Sequence, residues 1–380
     1  MNLDADICIL GGGCAGLSLA VALCEYAPHL SVQILDSRSQ YTRDRTWCFW
    51  NAEPHPFTSC VSHSWSRWSV QAVGQLVQRQ SARYRYEHIP ADRFYAFALQ
   101  RIAGSPNQKL SLNVRAGSIT PDRQSVAVET SSGRIRARLV FDSRPPPLSP
   151  WRRTGLLQRF TGWHVHTGNP CFNPEVVELM DFQPPTLSGR TTFFYTLPFT
   201  PNEALVEATY LDWPDLTPID AESDLKRRLQ NLTGDRYEIL YRENGTLPMS
   251  CAAPPPTPPN ICTIGRLGGR LKPSSGYAFL RIQRQSRALA RALAASAPLP
   301  KFFEPRFYSA LDRIFLEALQ HRPEAASNYL VPLFRDVPAD TLVRFLSESG
   351  TLQESLEIGL ALPALPFLQA AAFSLMGAAA

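Results

Sequence analysis

The sequence predicts an α/β fold that begins with a βαβ unit, carries an inserted β-rich domain and ends in a helical region. A glycine motif follows an apolar strand pattern near the N-terminus, strand-type composition dominates residues 151–250, and helical patterns fill most of the chain after residue 300. We therefore expect a first domain over 1–150 that resumes over 251–300, the inserted substrate domain over 151–250, and the helical region over 301–380.

The opening segment has the pattern of a dinucleotide-binding unit. The strand pattern "ADICIL" runs into Gly11, Gly13 and Gly16 in GxGxxG register, a helical pattern follows, and a second strand pattern ends at Asp36. The three glycines permit a tight turn, an approach of the backbone to a pyrophosphate, and close packing of helix on strand. Asp36, 20 residues after Gly16, has the position of an acid that binds a ribose. At the extreme N-terminus this motif favours FAD as a prosthetic group, with NAD as the alternative.

The order of the later segments is typical of Rossmann-type flavoproteins of the glutathione-reductase or hydroxylase kind. Residues 84–100 predict a strand, a turn and a helix with Asp92 as its N-cap, and residues 126–142 predict a hairpin with a Ser-Gly turn. After a proline-rich linker, a strand, a glycine-rich turn and a long amphipathic helix return the chain to the first domain.

Composition narrows the classes of partner. The net charge of +5 is scattered, without the long basic runs that indicate nucleic-acid binding, and permits a mild attraction to anionic membranes. The eight cysteines show no CxxC pair and no zinc-type spacing, so we expect reduced thiols in a cytoplasmic protein and no metal site. No basic segment precedes the first apolar run, so no secretory signal is expected.

The C-terminal segment leaves two alternatives open. Residues 358–380 carry no charge and have about the length of a membrane span, but Pro363 and Pro366 would break a helix there. The segment either makes a peripheral or re-entrant membrane contact or forms an Ala-rich helix packed on the body, and the packed helix is favoured.

Taken in order, several motifs give the chain a resemblance to the flavin-dependent lycopene β-cyclases of bacteria and plants over nearly its whole length. The motifs are "DRTWCFW" at 44–50, "YEHIPADRF" at 86–94, "FTGWHVHT" at 160–167, "FFYTLPFTPNEALVEATYL" at 193–211, "ENGTLPM" at 243–249 and "GRLGGRLKPSSGYAF" at 265–279. The glycine motif is shared with all relatives of the fold, whereas the order of the later motifs is specific.

This resemblance implies an isomerase that uses reduced FAD, with NAD(P)H as the reductant, and causes no net redox change. An acid protonates a terminal double bond of lycopene, an internal double bond attacks the cation, and loss of a ring proton gives the β-ionone ring of γ- or β-carotene. Because the substrate is a C40 hydrocarbon, the resemblance also implies a cytoplasmic protein that associates peripherally with the membrane.

The resemblance assigns the acid to Glu207, in the otherwise apolar "ALVEATYL". A carboxyl group in an apolar pocket stays protonated and can donate. The family usually has a second acid at the next position, where this chain has Ala208, so Glu207 acts alone or with a partner elsewhere. The alternative is a solvent-facing glutamate on an edge strand.

Relatives often have a glutamate at the position of His166, whose imidazole is either a second catalytic group or merely hydrogen-bonded structure. His164 shares the face of His166, because residues two apart in a strand point the same way.

The remaining site predictions form two sets. Residues expected around FAD, besides the first glycines and Asp36, are Arg45, Asp142, Gly268, Gly269, Ser275 and Gly276. Aromatic residues expected to line a polyene pocket, each of which has plain core as the alternative, are Trp47, Trp163, Phe193, Tyr195 and Tyr277.

Three alternatives to the cyclase remain: a flavin monooxygenase, a reductase of isoprenoid chains, and a carotenoid-binding protein without activity. The glycine turn at 265–269 lacks the Asp found in many flavin hydroxylases, which argues against the first. The full order of motifs fits the second less well, and Ala208 and His166 keep the third open.

Overall fold

The computed structural model of the protein describes residues 3–145, 155–182, 190–212, 219–254, 256–302 and 305–377. The predicted domain boundary at residues 150 and 151 lies outside these ranges. The described fold is α/β, with two large sheets, one small sheet and a helical C-terminal region, as predicted.

The strands are β1 (Ala5–Leu10), β2 (Val32–Leu35), β3 (Thr46–Trp50), β4 (His63–Trp65), β5 (Arg67–Ala72), β6 (Gln75–Gln80), β7 (Tyr86–Pro90), β8 (Gln108–Ser111), β9 (Ala116–Pro121), β10 (Val126–Thr130), β11 (Gly133–Asp142), β12 (Leu156–Thr167), β13 (Val176–Asp181), β14 (Thr191–Thr200), β15 (Glu203–Asp212), β16 (Tyr237–Met249) and β17 (Ile261–Thr263). The helices are α1 (Cys14–Tyr26), α2 (Ala91–Ala103), α3 (Ala221–Thr233), α4 (Phe279–Ala294), α5 (Arg306–His321), α6 (Ala326–Asp336), α7 (Ala339–Leu346), α8 (Leu352–Leu360) and α9 (Ala364–Gly377).

The first large sheet has the strand order β8-β2-β1-β11-β10-β9, and β17 pairs with β11. Strand β1 lies parallel to both of its neighbours, and its apolar side chains are buried on both faces, as is usual for a parallel strand covered by helices. Helix α4 packs on α1, where Gln283 donates a hydrogen bond to Ser18 Oγ at 2.9 Å. The chain after residue 260 therefore returns to the first sheet, as predicted.

The second large sheet has the order β16-β12-β15-β14-β13-β5-β6. Its central strands come from the range predicted for the inserted domain, and β5 and β6 join its edge from residues 67–80. Helix α3 covers one face. Strands β3, β7 and β4 form the small sheet. The division of the chain into the four predicted ranges stays a prediction.

Two local features can be compared with their sequence patterns. The hairpin between β10 and β11 turns at Ser131 and Ser132, with Gly133 at a φ of +116°, as the sequence predicts. The predicted N-cap of α2 was wrong: the helix begins after Pro90, and Asp92 lies within its first turn without capping it. A carboxylate in the first turn still interacts favourably with the helix dipole.

The C-terminal helices share buried clusters with the second large sheet and the small sheet, through residues that include Leu316, Tyr329 and Phe334. Helices α8 and α9 meet at an angle of 119° across the Pro363 break. Within the described residues no single helix has the length and apolar composition of a membrane span, although this bent pair has both when its helices are taken together.

Candidate active site

The first glycine loop is shaped by close contacts that exclude side chains. A Cβ on Gly16 would lie 1.9 Å from the Gly11 carbonyl oxygen, and Gly11 itself has a φ of +94°. A Cβ on Gly13 would meet only an Arg38 nitrogen, at 3.7 Å, so the backbone before α1 is open to a ligand. The buried Asp36 carboxylate accepts hydrogen bonds from the backbone N–H groups of Gly12 at 2.7 Å and Arg38 at 2.8 Å.

The second glycine turn meets the first at the N-terminus of α1. Gly265 has a φ of +61°, and a Cβ there would lie 2.5 Å from the Cβ of Ala15. A Cβ on Gly268 would lie 2.4 Å from the Thr263 carbonyl oxygen, and Gly269 has a φ of +72°. The second turn therefore packs directly against the first turn of α1 through Gly265. At this helix N-terminus, N–H groups and the helix dipole favour an anion.

Basic side chains lie around the same turn. Arg45 is close enough to Cys14 and Arg266 to influence both groups, and burial together with Arg45 lowers the pKa of Arg266. A bound anion would relieve the repulsion between these two guanidinium groups. The chemistry of the donors and the space left by the glycines fit the pyrophosphate of a dinucleotide.

The other residues expected around a flavin lie at the edges of this region. Asp142 ends β11 and forms an ion pair with Arg144 at 2.7 Å, while Ser143 between them donates to the Gly11 carbonyl oxygen at 2.8 Å. Gly276 has a φ of +74°, and the contacts of an added Cβ would be Gln158 and Leu247 of the second sheet, both at 3.1 Å. Ser275 and Gly276 therefore lie where the first domain meets the second sheet.

Glu207 lies on β15, inside the second sheet, and is only 9% exposed. Its neighbour on β12 is Gly162, and the neighbour of Gly162 on β16 is Glu243, which is 4% exposed. Directly paired residues point to the same face, so both carboxyl groups extend over Gly162 and share a hydrogen bond. Glu207 is therefore a buried acid with a partner, and the alternative of a solvent-facing glutamate is excluded.

The two carboxyl groups have unlike surroundings. Burial and the adjacent Glu243 raise the pKa of Glu207 well above its usual range. Burial also raises the pKa of Glu243, but hydrogen bonds from Glu207 and Thr46 and the nearby Arg43 and Arg45 oppose this shift. Thr46 Oγ1 donates to Glu243 at 3.0 Å, and the Tyr241 hydroxyl donates to the same oxygen. Two carboxyl groups whose surroundings differ in this way can act as an acid and a base.

Aromatic side chains surround Glu207 on the same face of the sheet. Tyr195 is its direct neighbour on β14, and Phe193, two residues earlier, points the same way. The Tyr195 hydroxyl lies 3.0 Å from that of Tyr86, which shares a hydrogen bond with Tyr277. Trp50 packs edge-on against Tyr86 and Tyr277.

Two of the predicted pocket aromatics lie elsewhere. Trp163 follows Gly162 and therefore points to the opposite face of β12, where it packs under α3 and against the guanidinium of Arg242. Trp47 packs against Phe94 and Phe279 in the core of the first domain.

The structure does not bring His166 to Glu207. His166 is exposed near the end of β12, four residues from Gly162, which corresponds to roughly 13 Å along a strand. His164 shares its face but is buried, and its Nε2 lies 2.6 Å from Glu203 Oε1. Burial and the nearby Arg43 lower the pKa of His164, although Glu203 opposes this.

Sequence reasoning gave no role to Glu243, although it stands first in the motif "ENGTLPM". With Ala208 at the neighbouring position, the sequence left Glu207 to act alone or with a partner elsewhere, and the partner comes from another strand, across Gly162. The available signal was the glycine in "FTGWHVHT", since a glycine inside a strand often marks a close approach.

Comparisons with known proteins agree with this arrangement of motifs. A family model described as "Lycopene cyclase protein" matches residues 6–372. The chain is 24% identical over 393 residues to the lycopene beta-cyclase of Pantoea ananas, and the alignment covers 97% of this chain and 98% of that protein.

Solved structures show the same fold. A geranylgeranyl bacteriochlorophyll reductase-like protein of Thermoplasma acidophilum superposes with a TM-score of 0.63 at 14% identity, covering 96% of this chain and 98% of that one. A variant of the halogenase PltM in complex with FAD superposes with a TM-score of 0.56 at 14% identity, covering 94% and 82%. The fold is therefore the flavoprotein fold that the sequence predicts, and because the family model matches nearly the whole chain, the protein belongs to the lycopene cyclase family.

Proposed function

We propose that the protein is a lycopene β-cyclase that forms the β-ionone rings of γ- and β-carotene, with Glu207 as the proton donor. The observation that carries this proposal is the buried carboxyl group of Glu207 on a sheet face rich in aromatic side chains, where burial and the adjacent Glu243 raise its pKa well above the usual range. Proton donation to an alkene needs an acid that keeps its proton in an apolar site, and burial provides that condition.

FAD is the proposed cofactor. Gly13 leaves the backbone open at the N-terminus of α1, and Arg45 and Arg266 supply positive charge there. When bound, reduced FAD would supply an electron-rich ring system that stabilises a cationic substrate without net redox change, and NAD(P)H is the proposed reductant. The nearby Gly276 turn contacts the sheet that carries Glu207, so a ligand spanning both parts is compatible with the fold.

The aromatic residues near Glu207 would line the pocket for the polyene and contact its positive charge. A ring face contributes about 0.5–2 kcal/mol to the binding of a cation. Tyr195, Phe193 and Tyr277 are the members of the predicted set that lie on the side of Glu207, through direct pairing or through the Tyr86 hydrogen bonds.

We further propose that the protein works in the cytoplasm, peripherally bound to the membrane through α8 and α9. Large side chains on these helices are exposed, namely Leu352 (70%), Leu356 (70%), Leu360 (88%), Leu365 (68%), Leu368 (67%) and Phe373 (47%). Leu352, Leu356 and Leu360 recur every four residues on one side of α8.

Sedimentation with liposomes tests the membrane proposal. Replacing Leu356, Leu360 and Leu368 with serine should reduce the bound fraction several-fold, because the apolar surface available to the lipid is lost. A matched control replaces the exposed Val73 and Leu76, on the β5–β6 hairpin, with serine. Equal binding of all three proteins would refute the proposal.

The cyclase proposal is tested by anaerobic incubation of the purified protein with FAD, NADPH and lycopene in liposomes, followed by chromatography and mass spectrometry. Cyclisation gives an isobaric product with the spectrum of γ- or β-carotene, without stoichiometric consumption of NADPH, and Glu207→Gln should abolish it. A product 2 mass units heavier would indicate the reductase alternative, and one 16 units heavier after admission of oxygen would indicate a monooxygenase. Unchanged lycopene in both conditions would favour a binding protein.

A further inference from the structure

The carboxyl pair is created by one missing side chain. A Cβ on Gly162 would lie 2.8 Å from Cγ of Glu207 and 3.2 Å from Cγ of Glu243. With only hydrogen atoms at this Cα, the two side chains lean over the central strand from opposite sides until their carboxyl groups meet. The contact is a consequence of strand pairing on both sides of β12.

The pair is asymmetric in its hydrogen bonds. Glu243 accepts from Thr46 and Tyr241, and its bond with Glu207 favours the ionised form of Glu243 and the neutral form of Glu207. The described neighbours of Glu207 include Cys48 and Tyr195, which share a hydrogen bond with each other. Donors directed at a carboxylate stabilise its charged form. These contacts favour a resting pair with one proton, on Glu207.

The cyclisation requires two opposite proton transfers at each end of the substrate. One proton must be added to the terminal double bond, and one must be removed from the carbon that forms the new ring bond. The pair offers a protonated carboxyl group and an ionised carboxylate side by side. Because both groups are buried, they face the same low-dielectric environment as the cation.

We propose that Glu207 and Glu243 divide these two transfers, Glu207 as the donor and Glu243 as the acceptor of the ring proton. This inference rests on the proposed cyclase function. The O–H bond of Glu207 breaks as the C–H bond forms on the terminal alkene, and the electron pair of the internal alkene then closes the ring. The ring C–H bond breaks next, its electrons form the ring double bond, and its proton goes to Glu243.

The hydrogen bond between the two carboxyl groups then restores the starting state, since transfer of a proton from Glu243 to Glu207 completes the cycle. Between the two transfers both groups are ionised, so two negative charges lie beside one cation. Arg43, Arg45, Thr46 and Tyr241 stabilise that state on the Glu243 side. No external acid, base, oxidant or reductant is consumed.

The decisive variant is Glu243→Gln, which keeps the size and a hydrogen-bonding group of the side chain. General-base catalysis contributes about 10²–10⁴-fold, so we expect a loss of turnover of that order. Because the preferred acceptor is gone, we also expect part of the remaining product to have lost its proton from the adjacent ring methylene or methyl group instead. The new double bond then lies at that carbon. These isomers have equal mass and are distinguished by absorption and proton NMR spectra.

The control variant is Glu203→Gln, at the start of β15, the strand that carries Glu207. The Glu203 carboxylate interacts with His164 and takes no part in the pair. It should keep the turnover and the product of the wild type. Bound flavin and the circular dichroism spectrum show that each variant is folded.

A milder variant tests the acceptor without removing it. Thr46→Val deletes one donor to the Glu243 carboxylate, so the pKa of Glu243 rises and the fall of turnover on the acidic side should move to higher pH. If Thr46 only supported the fold, the substitution would lower turnover at all pH values and leave the acidic limb of the pH–turnover profile in place.

The inference is overturned if Glu243→Gln yields only the wild-type ring and Thr46→Val leaves the acidic limb in place, whatever the rates. Displaced ring double bonds or a shifted limb support it. Failure of the cyclase proposal looks different, because the wild type itself would then give no isobaric ring product.

Discussion

Gly162→Ala tests whether the gap in β12 brings the acids together. The added methyl carbon would lie 2.8 Å from Glu207 and 3.2 Å from Glu243, and ordinary carbon contacts are 3.4–4 Å. One or both carboxyl side chains must therefore move by about 0.5–1 Å. A displacement of this size at reacting groups lowers turnover by up to about 10²-fold, and overpacking of a core destabilises by about 1–3 kcal/mol.

Turnover of lycopene in liposomes and chemical unfolding would be measured on the same preparations. Gly74→Ala is the matched control, because Gly74 has a φ of +74° with nothing within 4 Å of an added Cβ. Backbone strain at this positive φ should lower its stability by about 1–2 kcal/mol while its turnover stays unchanged. Full turnover of Gly162→Ala, at any stability, would show that contact across Gly162 is not needed for the reaction.

Three further predictions concern pH, packing and cofactor binding. Folding raises the pKa of Glu207 well above 4.5, so the folded state binds the proton more tightly and stability falls progressively as pH rises above 4.5. Glu207→Gln should flatten that part of the plot of thermal unfolding temperature against pH. An unchanged slope would contradict the assignment. Lys272→Met removes the cation that lies 3.0 Å from the buried Asp312 carboxylate and leaves the hydrogen bond from Ser274 there, so it should lower the free energy of unfolding by about 3–5 kcal/mol, as measured with urea. A loss below about 1 kcal/mol would refute a strong buried pair. Gly265→Ala should weaken FAD retention on gel filtration, because the added Cβ would collide with the first turn of α1. The control Gly234→Ala, at a similar φ of +59° in open space, should retain the flavin. Equal retention by both variants would exclude a role of the turn in binding.

The flavoprotein fold was accessible from the sequence because its strongest signals are local. Within one strand–turn–helix unit, Gly16 is required by its contact with the Gly11 carbonyl and Gly11 by its positive φ, while Gly13 leaves space for a ligand. The later return of β17 to the first sheet also followed from the order of the segments.

The composition of the candidate site was less accessible, because it depends on which strands become neighbours. Glu207 and Glu243 are 36 positions apart, and only the pairing of β15 and β16 with opposite edges of β12 brings them together. The same uncertainty affected Trp163. Its aromatic side chain suits an apolar pocket, but its position directly after Gly162 turns it to the sheet face under α3. The roles of these residues in the reaction stay predictions.

The two acids lie on β15 and β16, which are hydrogen-bonded to opposite sides of β12, so their separation is determined by strand register rather than by any loop. A slip of β12 by one residue would put the indole of Trp163 where the gap now lies. Insertions and deletions in the surrounding loops can therefore reshape access for different carotenes while the distance between the acids stays the same. We expect natural variation among relatives to accumulate in the loops at the ends of this sheet, and the glycine in its centre to tolerate no replacement.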